Sequence, residues 1–239
     1  MIERLLLKLR RRHEVSAEEE AVLRRIAQPI KQVPARTVQI REGQRIDFST
    51  LLIEGLMGRY KDMRDGRRQI SALHISGDFL DLHSFMLKRL DHDVMALTDC
   101  TVSIVPHEEI EWITEEHPRL GRLFWFETNL DAAIHRAWEV SLGRRSALAR
   151  TAHLFCELYV RMKIVGLTDD RGYEFPLTQI DLAECLGLTS VHVNRVLKEL
   201  RESGLATFRS GRVDIDNFEK LQRAAEFDAD YLFVDPGPA

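Results

Sequence analysis

Cysteine is scarce in this chain. Cys100, Cys156 and Cys185 are odd in number and widely spaced, which argues against a disulfide framework and against any Cys-x-x-Cys metal knuckle; buried, reduced thiols are the expectation. Long apolar runs are missing too. The first, Leu5-Leu6-Leu7, is interrupted at once by Lys8, Arg10, Arg11 and Arg12, so neither a signal peptide nor a membrane span is expected, and cytoplasmic residence with no membrane partner follows. Enzyme signatures are lacking: there is no Gly-x-Ser-x-Gly, His-Glu-x-x-His or phosphate-cradling glycine loop. His83 or His92 beside Asp81 is too cheap a pairing to carry catalysis, and the chain is read as a non-enzyme. His74, His83 and His92 with Asp78, Asp81, Asp91 and Asp93 show no tight ligand spacing, so no metal is expected.

Neither charge dominates, the net value being −4 over 239 residues with 44% apolar content, enough to bury one large or two ordinary cores. The distribution says more than the sum. Between Arg144 and Val213 eleven Lys/Arg face eight Asp/Glu, so the C-terminal third carries the basic surface and the acidity lies elsewhere.

Residues 177–205, LTQIDLAECLGLTSVHVNRVLKELRESGL, carry the clearest pattern. Thr178 can cap a helix with Asp181 completing a capping box, and Ile180, Leu182 and Ala183 form its apolar side. Gly187 supplies the positive φ of a tight turn. Thr189 caps a second helix in which Val193, Val196, Leu197 and Leu200 recur at i, i+3, i+4 and i+7. The outward face, Ser190, Val191, His192, Asn194, Arg195, Lys198 and Arg201, holds three permanent positive charges against Glu199 and suits a phosphate-lined groove. Two short runs around Ser210-Gly211 follow as a hairpin, with Arg209 and Arg212 placed near a neighbouring backbone. Helix, turn, helix and basic hairpin make a winged helix-turn-helix; an ordinary αα-hairpin with a solvated basic face is the alternative that the hairpin weakens.

Further forward, Ser16 caps a short helix to about Ala27, and from Val33 to Pro106 short alternating runs punctuated by Glu42-Gly43, Glu54-Gly55, Asp65-Gly66 and Gly77-Asp78 read as a β-roll or barrel. After Pro118 the pattern turns helical. Leu123, Phe126, Leu130, Ala133, Ala137 and Val140 alternate in steps of three and four as a dimer seam, while Trp125, Ile134, Trp138 and Leu142 point another way and could pack on the roll. Burial of both stripes in one domain is the alternative. Gly143-Arg144-Arg145 is expected to break this helix, and a further one, from Arg145 to Lys163, has Leu148, Ala152, Phe155, Leu158 and Tyr159 inside. A last helix begins at Asp216, with Glu219 completing a capping box. The chain is therefore α+β, with a β-roll and N-terminal helices over 1–116, a dimerisation helix over 117–143 and a winged helix-turn-helix over 144–239, ending in a loose Pro/Gly-rich tail from Asp235 to Ala239.

In order along the chain, VPARTVQIREGQ, STLLIEGLMGRYK, DGRRQISALHISGDF, ALTDCTVSIVPHEEIEWI and the helix-turn-helix with its wing resemble the CRP/FNR family of bacterial transcription regulators. The resemblance implies a cyclic-nucleotide-binding-like roll, a homodimer paired through the long helix, and two reading helices on a pseudo-palindromic double-stranded DNA site. It also implies control from the roll by an unidentified signal, with RNA polymerase as a further partner. Base-reading positions fall on Ser190, Val191, Asn194 and Arg195, the last fitted for guanine O6/N7, whereas Val191 offers only apolar contact. Phosphate contacts fall on Thr189, His192, Lys198 and Arg209. Effector-pocket positions fall on Gly77, Asp78, Phe79, Leu90 and His92. Where cyclic-nucleotide binders hold phosphate with an Arg-Ser/Thr-Ala trio, this chain has Leu90-Asp91-His92, which argues against cyclic AMP. No cysteine precedes Cys100, so the N-terminal cluster of iron–sulfur relatives is missing and no cofactor is expected. A small-molecule sensor with a vestigial reader is the rival function.

Overall fold

The computed structural model describes residues 1–234; the tail expected to be loose, Asp235–Ala239, lies outside the described residues. In chain order the elements are α1 (Glu3–Arg10), α2 (Ala17–Ile26), β1 (Ile30–Val33), β2 (Val38–Ile40), β3 (Phe48–Glu54), β4 (Met57–Asp62), β5 (Arg68–His74), α3 (Ser84–Leu87), β6 (Asp93–Ala96) and β7 (Cys100–Pro106). There follow α4 (His107–Glu116), α5 (Pro118–Arg144), α6 (Ala147–Ile164), β8 (Gly172–Glu174), α7 (Gln179–Leu186), α8 (Ser190–Glu202), β9 (Ala206–Arg209), β10 (Arg212–Ile215) and α9 (Phe218–Ala225). They form two compact units: Met1–Lys61 and Ala72–Ala132 with the segment from Phe233, and Asp62–Ser71 with Ala133–Leu232.

The first unit is the roll. One sheet runs β1-β7-β3 and the other β2-β6-β4-β5, and the pairings of β7 with β1 and β3, and of β6 with β2 and β4, are antiparallel. Ile40, Leu52, Met57, Leu80, Val94 and Val102 close one apolar cluster, each almost fully buried. A second cluster joins Leu5, Leu6 and Leu9 of α1 and Leu23 of α2 to Leu51, Phe79, Leu123 and Phe124. α1 was legible only as a charged interruption; its leucines recur at i, i+1 and i+4 and bury one stripe, while Leu7 points out. α2 begins as expected, Ser16 Oγ accepting from Glu19 N at 3.1 Å and Ser16 N donating to Glu19 Oε2 at 2.8 Å.

The stripes of α5 differ from the expected ones. Leu123, Leu130 and Ala133 are buried within the chain, Phe126 packs edge-on against His13 and Phe233, Ala137 is half-buried, and only Val140 of the expected seam is exposed. Trp125, expected to face the roll, is 70% exposed, whereas Ile134 and Trp138 are buried. The outward stripe is instead Arg122, Trp125, Asn129, Ala132, Arg136 and Val140, again in steps of three and four. Apolar residues occupy most of this helix's circumference, so spacing alone could not say which stripe the roll takes. Gly143 does not break the helix. It stays helical through Arg144, and α6 starts at Ala147 behind Ser146, whose Oγ accepts from Ala149 N. Leu148 and Tyr159 are half-buried rather than interior.

In the second unit α6 is the spine. Phe155 and Leu158 are fully buried, and Tyr173 of β8, a strand not expected from the sequence, donates its hydroxyl to Phe155 O at 3.1 Å. Glu157 is also fully buried. Its carboxylate accepts from Trp138 Nε1 at 3.1 Å, Tyr231 Oη at 2.8 Å and Arg161 Nη1 at 3.1 Å, so the buried charge is paired and hydrogen-bonded. α9 is capped by Asn217 rather than Asp216, with Asn217 Oδ1 accepting from Lys220 N at 2.9 Å.

Candidate nucleic-acid interface

The reading hairpin is α7 and α8. Thr178 Oγ1 accepts from Asp181 N at 3.1 Å and Asp181 Oδ2 accepts from Thr178 N at 2.8 Å, which is the expected capping box. Leu182, Ala183, Cys185 and Leu186 form the buried side, but Ile180 is 61% exposed rather than inward. It sits in the first turn, where the hairpin offers it nothing to pack on. Gly187 takes φ +61° and ends α7.

The last carbonyls of α7 are held by side chains that pattern reading missed. Gln69 Nε2 donates to Glu184 O at 2.8 Å and to Cys185 O at 3.2 Å. Arg150 Nη1 donates to Leu186 O at 2.5 Å, while its other nitrogens reach Ser141 O at 3.2 Å, Leu142 O at 2.9 Å and Arg145 O at 3.3 Å. A helix C-terminus leaves its final carbonyls without intrahelical donors and carries partial negative charge, so one guanidinium serves two helix ends here. Burial lowers the pKa of Arg150 below the usual arginine range. The signal available in the sequence was a lone arginine between Ala149 and Thr151 in the largely apolar stretch of α6.

α8 has the expected two faces. Val193, Val196, Leu197 and Leu200 are buried, and Thr189 Oγ1 accepts from His192 N at 3.3 Å as its cap. Thr189, Val191, Asn194, Arg195, Lys198 and Arg201 are exposed, with Ser190 and His192 half-exposed. Val191 is 73% exposed, a large apolar side chain in water at the start of the helix. Lys198 lies 3.7 Å from Glu202 across one turn, with both side chains exposed, a contact worth little.

The wing is β9 and β10, paired from Ala206↔Ile215 to Arg209↔Arg212. Its turn residues Ser210 and Gly211 have φ +53° and +74°, as a two-residue hairpin of the I′ kind requires. β8 pairs on the other edge of β10. The two wing arginines differ. Arg209 is exposed, but Arg212, expected at the DNA backbone, is held by Asp214 at 2.8 Å, Glu174 at 2.9 Å and Asp169 at 2.6 Å. The hydrogen bonds it donates to Asp214, Glu174 and Asp169 raise its pKa further. It is a staple of the wing rather than a free cation. Cys185 is fully buried and its thiol is pushed well up by burial, which removes the thiolate that oxidation needs.

Residues 30–117 match the cyclic nucleotide-binding domain family, and residues 149–224 match the Crp-like helix-turn-helix domain family. The chain belongs to the CRP/FNR family. It is a transcription regulator by that membership. Among relatives of this regulator, the transcriptional activator protein FnrL of Cereibacter sphaeroides is 29% identical over 220 residues, covering 90% of this chain and 87% of FnrL. The nitrogen fixation regulation protein FixK of Bradyrhizobium diazoefficiens is 29% identical over 165 residues, covering 69% and 68% of the two chains. The structure of FixK2 from Bradyrhizobium japonicum superposes with a TM-score of 0.74 at 23% identity, over 88% of this chain and 98% of that one. That likeness speaks to the fold.

In this regulator the expected effector-pocket residues pack into the roll. Phe79 packs edge-on against Phe124 at 5.3 Å, and Leu90 is part of the roll's core. His92 Nδ1 lies 2.8 Å from Asp91 Oδ1, with its ring 5.8 Å from that of His83. Burial pushes His83 down to about 4, with Arg59 adding to the effect. Asp78 is bonded to Lys8. Arg59, itself buried, donates to Leu80 O at 2.9 Å through Nε and to Asp131 Oδ2 of α5 at 2.6 Å through Nη1. No group of histidines, cysteines and carboxylates among the described residues is arranged to hold a metal. No described helix is long and apolar enough to cross a membrane.

Proposed function

We propose that this CRP/FNR regulator binds a pseudo-palindromic duplex site as a homodimer, with α8 of each subunit in the major groove. The observation that carries the reading is the exposed face of α8. Asn194 and Arg195 stand in solvent beside Val191, and Arg195 forms no ion pair with any described residue. A guanidinium left free in a chain that pairs so many others is available to guanine O6/N7. Ser190, Val191 and Asn194 complete the base-reading set. Thr189, His192, Lys198 and Arg209 contact phosphates, and Arg212 does not. A vestigial reader would have no reason to keep Arg195 unpaired on this face.

Subunits pair through the outward stripe of α5, centred on Trp125, Asn129, Ala132 and Val140. An exposed indole in a heptad-like row is a seam that a second copy covers. Contact with RNA polymerase belongs to the same proposal, since FnrL is named a transcriptional activator. The regulator acts in the cytoplasm without an iron–sulfur cluster or cyclic AMP: its cysteines are buried, Asp91 would repel a cyclic phosphate, and Asp78 is already engaged.

Selection of bound duplexes from a random pool tests the reading. Arg195→Ala should then weaken binding to the selected site by about 1–3 kcal/mol and relax preference at one base pair per half-site. An unchanged preference in that variant counts against the assignment.

A further inference from the structure

The N-terminal helix lies against the turn that carries Gly77 and Asp78, two of the expected effector-pocket residues. A methyl group at Gly77, φ +97°, would stand 2.9 Å from the carbonyl carbon of Arg4 and 3.0 Å from its oxygen, so the backbone of α1 rests directly on the turn that carries Asp78. α1 lies outside the stretch matched to the cyclic nucleotide-binding domain, which starts at residue 30. From this helix Lys8 reaches inward. Its Nζ lies 2.7 Å from Asp78 Oδ1 and also contacts Glu127 Oε2 of α5, and all three side chains are largely buried. Asp78 Oδ2 accepts from Ile75 N at 2.9 Å. Glu127 Oε1 is buried with no hydrogen-bond partner among the described residues. The site is thus a pair of buried carboxylates, one on the roll and one on α5, with an acceptor to spare around a single ammonium.

Two ionised carboxylates this close and this buried need a cation between them. Burial alone would lower the pKa of Lys8, but Asp78 and Glu127 outweigh it and raise it, so the ammonium is retained. Glu127 sits two residues from Trp125, on the opposite side of α5 from the outward stripe. The bridge therefore fixes the roll turn to the helix whose other face is proposed to pair subunits.

We propose that Lys8 is the resident ligand of this buried carboxylate pair, that the bridged site is the DNA-binding state, and that a small primary alkylammonium can take its place when Lys8 is removed. The inference rests on the DNA-binding reading above. The ligand class follows from the donor set: three N–H donors and one positive charge on a narrow aliphatic stem, which two carboxylates hold and a cyclic phosphate does not match.

Lys8→Ala in the full chain empties the ammonium position while keeping both carboxylates, and n-propylammonium chloride is the probe, with sodium chloride at equal concentration as control. The variant is expected to bind the selected duplex about 5- to 150-fold more weakly than wild type. Propylammonium should restore affinity and raise the melting temperature saturably, sodium chloride should do neither, and Lys8→Ala/Asp78→Asn/Glu127→Gln should not respond to the amine. If Lys8→Ala is unfolded at the assay temperature, the saturable rise in melting temperature and its loss in the triple variant still read the site. No such rise overturns the proposal, as does Lys8→Ala binding DNA like wild type. Failure of the wild-type protein to select any duplex would instead strike the DNA-binding reading, leaving the amine response to be read by melting.

Discussion

Asp81 stores a pH dependence that one substitution should release. Its carboxyl is fully buried in the roll, accepting from Thr50 N at 2.6 Å and Thr50 Oγ1 at 3.3 Å. Burial pushes it up to about 7, against the opposing pull of the Thr50 amide and the Arg59 charge. In the unfolded chain it titrates near the ordinary 3.8. The folded state therefore holds a proton between about pH 4 and 7 that the unfolded state releases, so stability falls as pH rises through that window and is flat above it. A gap of about three pKa units corresponds to about 4 kcal/mol. Asp81→Asn removes the titration while its side-chain carbonyl still accepts from Thr50 N. Denaturant unfolding of both proteins from about pH 4 to 8 should show the variant gaining on wild type by up to about 4 kcal/mol across the window, less whatever the new amide costs. Taking the difference cancels His83 and His153, each pushed down to about 4 by burial, whose contributions are lost as pH falls instead. Parallel pH profiles would refute the reasoning, because they would mean that Asp81 ionises alike in both states.

Other outcomes follow from contrasts between neighbours. Arg209→Ala should reduce the salt dependence of DNA binding by about one unit of log–log slope, whereas Arg212→Ala should leave it unchanged because that cation is already spent on three carboxylates; titrations at several salt concentrations separate them. Trp125→Glu should yield folded monomers in sedimentation velocity with weakened operator binding, while Leu123→Glu, aimed into the roll's core, should unfold the chain instead. Ser210→Gly relieves a left-handed residue at φ +53° and should stabilise the wing by about 0.5–1 kcal/mol in thermal melting, with DNA affinity unchanged.

Local chemistry was legible and long-range pairing was not. The capping box of Thr178 and Asp181, the αL glycine at 187 and the Ser210-Gly211 turn each depend on residues a few positions apart, and each stands where spacing placed it. The buried face of α8 was equally plain, because one stripe on an otherwise polar helix admits one packing. α5 shows the limit: with apolar residues nearly all round, the inward stripe was chosen by the roll's shape and by Lys8, whose partner Glu127 no periodicity connects to it. Arg150, Gln69 and Arg212 share this character. Each serves groups distant in sequence, and a lone basic or amide residue looks the same whether it faces water, a helix end or DNA.

Val191 has a consequence for the chromosome as well as for the operator. With α8 in the major groove as proposed, this valine has no hydrogen bond to give or take, so what it can sense is a methyl group at C5 of a pyrimidine. Thymine carries that methyl by birth and cytosine acquires it by methylation. To this side chain the two present the same surface. A half-site with cytosine at that position would then gain affinity when methylated, and a promoter could come under this regulator through a mark written on its DNA without any change of sequence.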